Sequence, residues 1–92
     1  MYKIANTNRY KKDLKRISSN SELVKEINAV VRLLSENDTP LPKKYNDHSL
    51  KGSNATFREC HVRPDWLLVY QKTKKELTLM LICTGTHSHI FK

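Results

Sequence analysis

The chain has 92 residues, enough for one small domain that buries roughly 60–65% of its unfolded surface, and not for two. Seventeen Lys and Arg stand against nine Asp and Glu, a net charge of +8, which favours a polyanionic partner such as nucleic acid. No apolar run approaches the ~20 residues that a membrane-spanning helix needs, the start carries no signal-peptide core, and two cysteines without a CxxC spacing are too few for a disulfide scaffold; a cytoplasmic protein is expected.

Tyr2 to Ala5 alternates enough for a short strand. Thr7 or Asn8 can cap a helix running to about Ile17, with Tyr10, Leu14 and Ile17 as its apolar face at helical spacing. Lys11, Lys12, Lys15 and Arg16 form the wet face, and residues 1–16 hold six basic side chains against one acidic. The run Ser18-Ser19-Asn20-Ser21 breaks the helix, and Ser19 with Glu22 makes a possible capping box. A second helix is predicted from about Ser21 to Ser35, where Leu23, Val24, Ile27, Val30, Val31 and Leu34 give a broad apolar stripe. Pro40 and Pro42 forbid an immediate restart.

Residues 37–55 read as one long connecting loop, and long loops in small domains are often functional. Three strands follow, about Thr56–Val62, Trp66–Lys72 and Glu76–Thr84, with short links at Pro64-Asp65 and Lys74-Lys75. Short links between consecutive strands predict an antiparallel meander. Gly85 ends the last strand, and His87–Phe91 reads as a turn or short helix. The order β-α-α-β-β-β predicts a single α+β domain over residues 1–92, a small antiparallel sheet with two N-terminal helices packed on one face.

Histidines, a carboxylate, an arginine and two aromatics cluster in His61-Val62-Arg63-Pro64-Asp65-Trp66 and in Thr84-Gly85-Thr86-His87-Ser88-His89-Ile90-Phe91. RNA cleavage without a metal needs a base for the ribose 2′-hydroxyl, an acid for the leaving 5′-oxygen, and positive charge or donors for the transition state. Histidines suit the proton steps, and cations suit the charge step. All four histidines lie after residue 47.

Asp47-His48-Ser49-Leu50-Lys51-Gly52, the run from Phe57 through Asp65-Trp66 to Tyr70, and Thr84–Phe91 together resemble the YafQ branch of the RelE bacterial toxins. The opening strand, the basic first helix and the Leu-Pro before Asp47-His48 are similar too, so the resemblance spans almost the whole chain. It implies a RelE-like, microbial-ribonuclease-like fold and a toxin of a type II toxin–antitoxin module. It implies an endoribonuclease that cuts mRNA in the ribosomal A site without metal or cofactor. It also implies a cognate antitoxin that covers the site, with operator DNA reached only through that antitoxin. By the same resemblance His48, His61, Asp65 and His87 are the acid–base cluster, and Trp66 and Phe91 line the pocket; apart from it, Lys51, Arg58 and Arg63 are cations that could hold substrate.

Each residue has a plainer reading. His48 could brace its loop, His61 could bond backbone at a strand edge, and Asp65 after Pro64 could be a turn-former. Trp66 could equally be core or a base-stacking wall. His89 has no counterpart in the motif and reads as an exposed side chain. Four histidines and two cysteines lack zinc-site spacing. Relatives that poison DNA gyrase lack this histidine set.

The family pattern has an arginine just before Thr-Gly-Thr/Ser-His, where this chain has Cys83. A neutral thiol offers no cationic fork to a phosphate, and one lost donor of that kind costs ~2.7–4 kcal/mol of transition-state stabilisation in other enzymes. The expectation is either compensation by Arg58, Arg63 or Lys51, or a catalytically weakened protein that binds RNA and antitoxin. Cys83 is not expected to be a nucleophile, because RNA cleavage already has one in the 2′-hydroxyl. In a meander it would sit two strand steps from Cys60, about 9–10 Å, beyond disulfide reach.

Overall fold

A computed structural model describes residues 1–38, 41–50 and 56–91. In chain order these form β1 (Lys3–Asn6), α1 (Asn8–Arg16), α2 (Ser21–Glu36), a 3₁₀ turn (Lys43–Tyr45), β2 (His48–Ser49), β3 (Arg58–Arg63), β4 (Trp66–Thr73), β5 (Thr78–Gly85) and α3 (His87–Ile90). The sheet runs β1-β5-β4-β3-β2. The predicted meander is β3-β4-β5, antiparallel throughout.

Three features depart from the sequence reading. The sheet is mixed, because β1 pairs in parallel with β5, Lys3 opposite Thr78 through Asn6 opposite Leu81. The predicted loop over 37–55 contains a 3₁₀ turn and the two-residue strand β2, which pairs with β3 through His48–Glu59 and Ser49–Arg58. The second helix is capped by Asn20, whose side chain accepts from the Leu23 N–H, rather than by a Ser19–Glu22 box. Thr7 caps α1 as expected, its hydroxyl accepting from the Tyr10 N–H. The same hydroxyl donates to the Ile82 carbonyl at 2.6 Å, which ties the helix start to β5.

The apolar stripe of α2 is buried as its spacing predicts, with Leu23, Ile27, Val30, Val31 and Leu34 all in the core. These pack with Tyr2 and Tyr10, and with Cys60, Leu68, Tyr70, Leu79 and Leu81 from the sheet. Because side chains alternate across a strand, the neighbours Glu59, Leu67, Val69 and Cys83 belong to the opposite face, and they too are buried. Cys60 and Cys83 are both free thiols on opposite faces, a firmer bar to a disulfide than their separation.

Burial holds the Tyr10 hydroxyl protonated, pushing its pKa from 10.0 up to about 12. Burial, helped by the charges of Asp47 and Glu59, pushes the Cys60 thiol from 9.0 to about 12. Both groups keep their proton longer when folded than when unfolded, so the stability they contribute is complete below pH 9 and is lost as pH rises through 12. Urea unfolding across this range should show constant stability up to about pH 9 and a decline above it, with Cys60→Ala removing the thiol's share of the slope. An unchanged slope in that variant would show that the thiol does not ionise on unfolding.

Candidate active site

The site is assembled along one transverse row of the sheet. His48 on β2 stands opposite Glu59 on β3, Glu59 opposite Val69 on β4, and Val69 opposite Cys83 on β5. Cross-strand partners present their side chains to the same face, so the row lies on the side away from α1 and α2. Thr86 caps α3, its hydroxyl accepting from the His89 N–H. That helix carries His87 and, just past its end, Phe91. Their rings lie 4.8 Å apart, tilted at 47°. His48, Ser49, Leu50, Glu59, His87 and Phe91 line one concavity of about 430 Å³.

His48 is held by its local backbone. Nδ1 lies 2.7 Å from the Asn46 carbonyl oxygen. A carbonyl only accepts, so Nδ1 carries a proton there. Nε2 then faces the Glu59 carboxylate at 3.7 Å. Asn46 itself adopts φ 46°, a left-handed conformation that asparagine tolerates better than most residues. The carboxylate of the preceding residue, Asp47, is 4% exposed and accepts from Arg58 Nε at 3.2 Å and from the Tyr70 hydroxyl. Burial raises the Tyr70 pKa well above its usual range, and the hydrogen bond to Asp47 raises it further. This network anchors β2 and so places His48.

The structure therefore brings His48, His87 and Phe91 together and adds Glu59, which the sequence reading missed. Glu59 sits in an alternating strand beside Arg58, where a charged residue reads as solvated; its side chain is only 8% exposed. The other expected residues lie elsewhere. His61 Nδ1 is 3.2 Å from the Pro64 carbonyl, and His61 lines a separate groove with Glu26, Tyr45 and Arg63. Asp65 is exposed in the β3–β4 turn. Trp66 packs against the helix-side core, and its indole donates to Thr84 Oγ1 at 2.8 Å. Arg63 pairs with Glu26 and Arg58 with Asp47, so neither reaches the row as a free cation. Lys51 lies outside the described residues.

One expectation changes and one stands. His89 is not a free surface side chain: its Nε2 is 3.1 Å from the buried Asp13 carboxylate. Cys83, at the family's arginine position, is 3% exposed. Burial raises the pKa of its thiol, the Arg9 charge lowers it, and Asp13 and Glu59 raise it. A protonated, enclosed thiol is neither nucleophile nor phosphate ligand.

A family model described as bacterial toxin of type II toxin–antitoxin system, YafQ, matches residues 2–92. The chain belongs to this family. The mRNA interferase toxin YafQ of Escherichia coli strain K12 is 39% identical over 82 residues, covering 89% of this chain and 87% of that relative. The crystal structure of the E. coli DinJ–YafQ complex superimposes with a TM-score of 0.88 at 33% identity, covering all of both chains. A Helicobacter pylori toxin, described as metal-bound, matches equally well, with a TM-score of 0.88 and 45% identity over 99% of this chain and all of that one. Among the described residues of the present chain, no group of three His, Cys, Asp or Glu is placed to hold a metal ion, and no helix is long and apolar enough to cross a membrane.

Tyr70→Phe removes one of the donors to buried Asp47 and leaves Arg58. We expect a loss of about 1–3 kcal/mol in urea denaturation. A variant as stable as the parent would mean that this network does not anchor β2.

Proposed function

We propose that the chain is the toxin of its module, a ribosome-dependent endoribonuclease that cuts mRNA in the A site by metal-free acid–base chemistry. The observation that supports this most is the convergence of His48, Glu59, His87 and Phe91, from β2, β3 and the C-terminal end, in one concavity. In-line attack by a ribose 2′-hydroxyl needs one group to take its proton and another to protonate the leaving oxygen. His87, exposed on α3, and His48, backed by Glu59, share these steps. The Phe91 ring offers a stacking face to a nucleobase. His61 and Asp65 join from the β3–β4 end when RNA is seated, since catalytic contacts are commonly loose without substrate. Trp66 supports this edge from the core side, Lys51 meets backbone phosphates, and Arg63 does so only by giving up its exposed pairing with Glu26.

Exposed Lys11, Lys12, Lys15 and Arg16 on α1 hold ribosomal RNA through phosphate contacts, which makes binding strongly salt-dependent. The protein acts in the cytoplasm. Its cognate antitoxin covers the concavity and carries any contact with operator DNA. Two solved structures of the E. coli relative are complexes of DinJ with YafQ, and this supports an antitoxin partner here.

Cys83 favours a second reading, a weakened enzyme that still binds RNA and antitoxin. Where the family pattern has a cation, this chain presents a buried neutral group, and Arg58 and Arg63 are already paired. Arg9 is a basic side chain whose field does reach Cys83.

With transcripts on translating ribosomes, His87→Ala should lower cleavage about 10²–10⁴-fold while circular dichroism shows the fold intact. Full cleavage by that variant would falsify the assignment. Cys83→Arg separates the two readings. A gain on the order of 10²–10³-fold marks an enzyme lacking one donor, whereas no gain marks compensation by another cation or a protein that only binds.

A further inference from the structure

The carboxylate of Asp13 on α1 is 7% exposed, yet three groups, one each from α1, β5 and α3, converge on it. Oδ2 accepts from the Thr84 N–H at 3.1 Å, and Arg9 Nε lies 3.8 Å away. Oδ1 faces His89 Nε2 at 3.1 Å. Thr84, fixed by that bond, uses its own hydroxyl to receive the Trp66 indole and to donate to the Leu67 carbonyl at 2.7 Å. A buried carboxylate without partners is strongly disfavoured. The ends of β4 and β5 and the last helix are thus joined through one side chain of α1.

His89 is the link to α3. On its other side, Nδ1 is 3.3 Å from Arg16 Nη1. A guanidinium only donates, so Nδ1 must accept, and the ring proton sits on Nε2, where it donates to Asp13. One neutral tautomer satisfies both neighbours. Independently, the imidazole lies directly on Gly85: a Cβ there would come within 2.6 Å of His89 Cδ2. The ring is therefore seated between a bare backbone position and a buried carboxylate, two residues from His87.

We propose that Asp13 and His89 form a latch that holds α3 in place, and that His89 is a positioning residue for His87 and Phe91. A helix of only four residues cannot hold itself, because helix nucleation is unfavourable and short helices depend on tertiary contacts. The N-cap bond from Thr86 fixes its first turn, and the latch fixes the turn to the sheet. Without the latch, His87 and Phe91 would sample positions away from His48 and Glu59. The consequence for cleavage rests on the catalytic reading of His87; the seating of α3 does not.

The test uses the whole protein and two readouts. ¹⁵N relaxation of residues 87–91 reports the seating, and cleavage on translating ribosomes reports its effect. In the parent, α3 amides should have order parameters near 0.85, and in His89→Ala they should fall below about 0.6, with β5 unchanged. Cleavage by that variant should show kcat reduced on the order of 10- to 100-fold, with KM raised by the loosened Phe91. His89→Gln, which restores a donor and an acceptor, should recover most of both. His89→Phe keeps a ring over Gly85 and loses both nitrogens, so it should behave like Ala; it also serves if the Ala variant does not fold. Long-range imidazole ¹H–¹⁵N spectra should show the His89 proton on Nε2. A rigid α3 in His89→Phe, or a proton on Nδ1, overturns the latch. A loosened α3 with undiminished kcat upholds the latch and overturns the role of His87.

Discussion

In β4 and β5, Leu68, Tyr70, Leu79 and Leu81 turn toward the helices while Leu67, Val69 and Cys83 turn the other way, and both sets are buried. Burial on both sides makes these two strands the rigid middle of the sheet, as expected where apolar area is removed from water on each face. Their flanks inherit that rigidity. β3 is held by β4, β2 by β3, and β1 by β5, so a two-residue strand with no stability of its own can still carry His48 to a defined place. The candidate site is a row of that lattice, with His48 at its thin edge and the last helix leaning over it.

Polar side chains complete what the ladder begins. Asp47 binds Arg58 and Tyr70 and fixes the approach to His48. Asp13 binds Thr84 and His89 at the other end. Each is a mostly buried carboxylate, and each lies on the opposite side of the sheet, or beyond its end, from the concavity it supports. The chain therefore separates the candidate site's histidines, His48 and His87, which stay exposed, from the carboxylates of Asp47 and Asp13, which hold position and are enclosed; among the described residues no buried side-chain polar atom lacks a partner.

Much of this was legible in the order of residues. The α2 stripe from Leu23 to Leu34, the Thr7 cap and the three consecutive strands all have local periods or local signals. His48, His87 and Phe91 are picked out by the family resemblance, and the structure places all three in one concavity. What escaped has no local period. Two residues cannot show alternation, so β2 reads as part of a loop. The parallel pairing of β1 with β5 joins residues 75 apart, and the contact of Asp13 with His89 joins residues 76 apart. Glu59 carries no sequence signal of its role, because nothing nearby in sequence shows that β2 covers it. Arg58 and Arg63 looked available because their acidic partners lie 11 and 37 residues away.

The slip in the β4–β5 ladder, where Val69 faces Cys83 but Tyr70 faces Leu81, inserts Ile82 as an unopposed residue. Up to Leu81 the odd-numbered residues of β5 point to the helices; beyond the slip the even-numbered Thr84 does, and Cys83 joins the row. A reader counting twos from Leu79 would assign Cys83 to the core and Thr84 to the site. The strand is thus written in two phases, with Thr7 gripping the junction through the Ile82 carbonyl. Core and candidate site thus occupy one strand, each read in its own parity on its own side of Ile82.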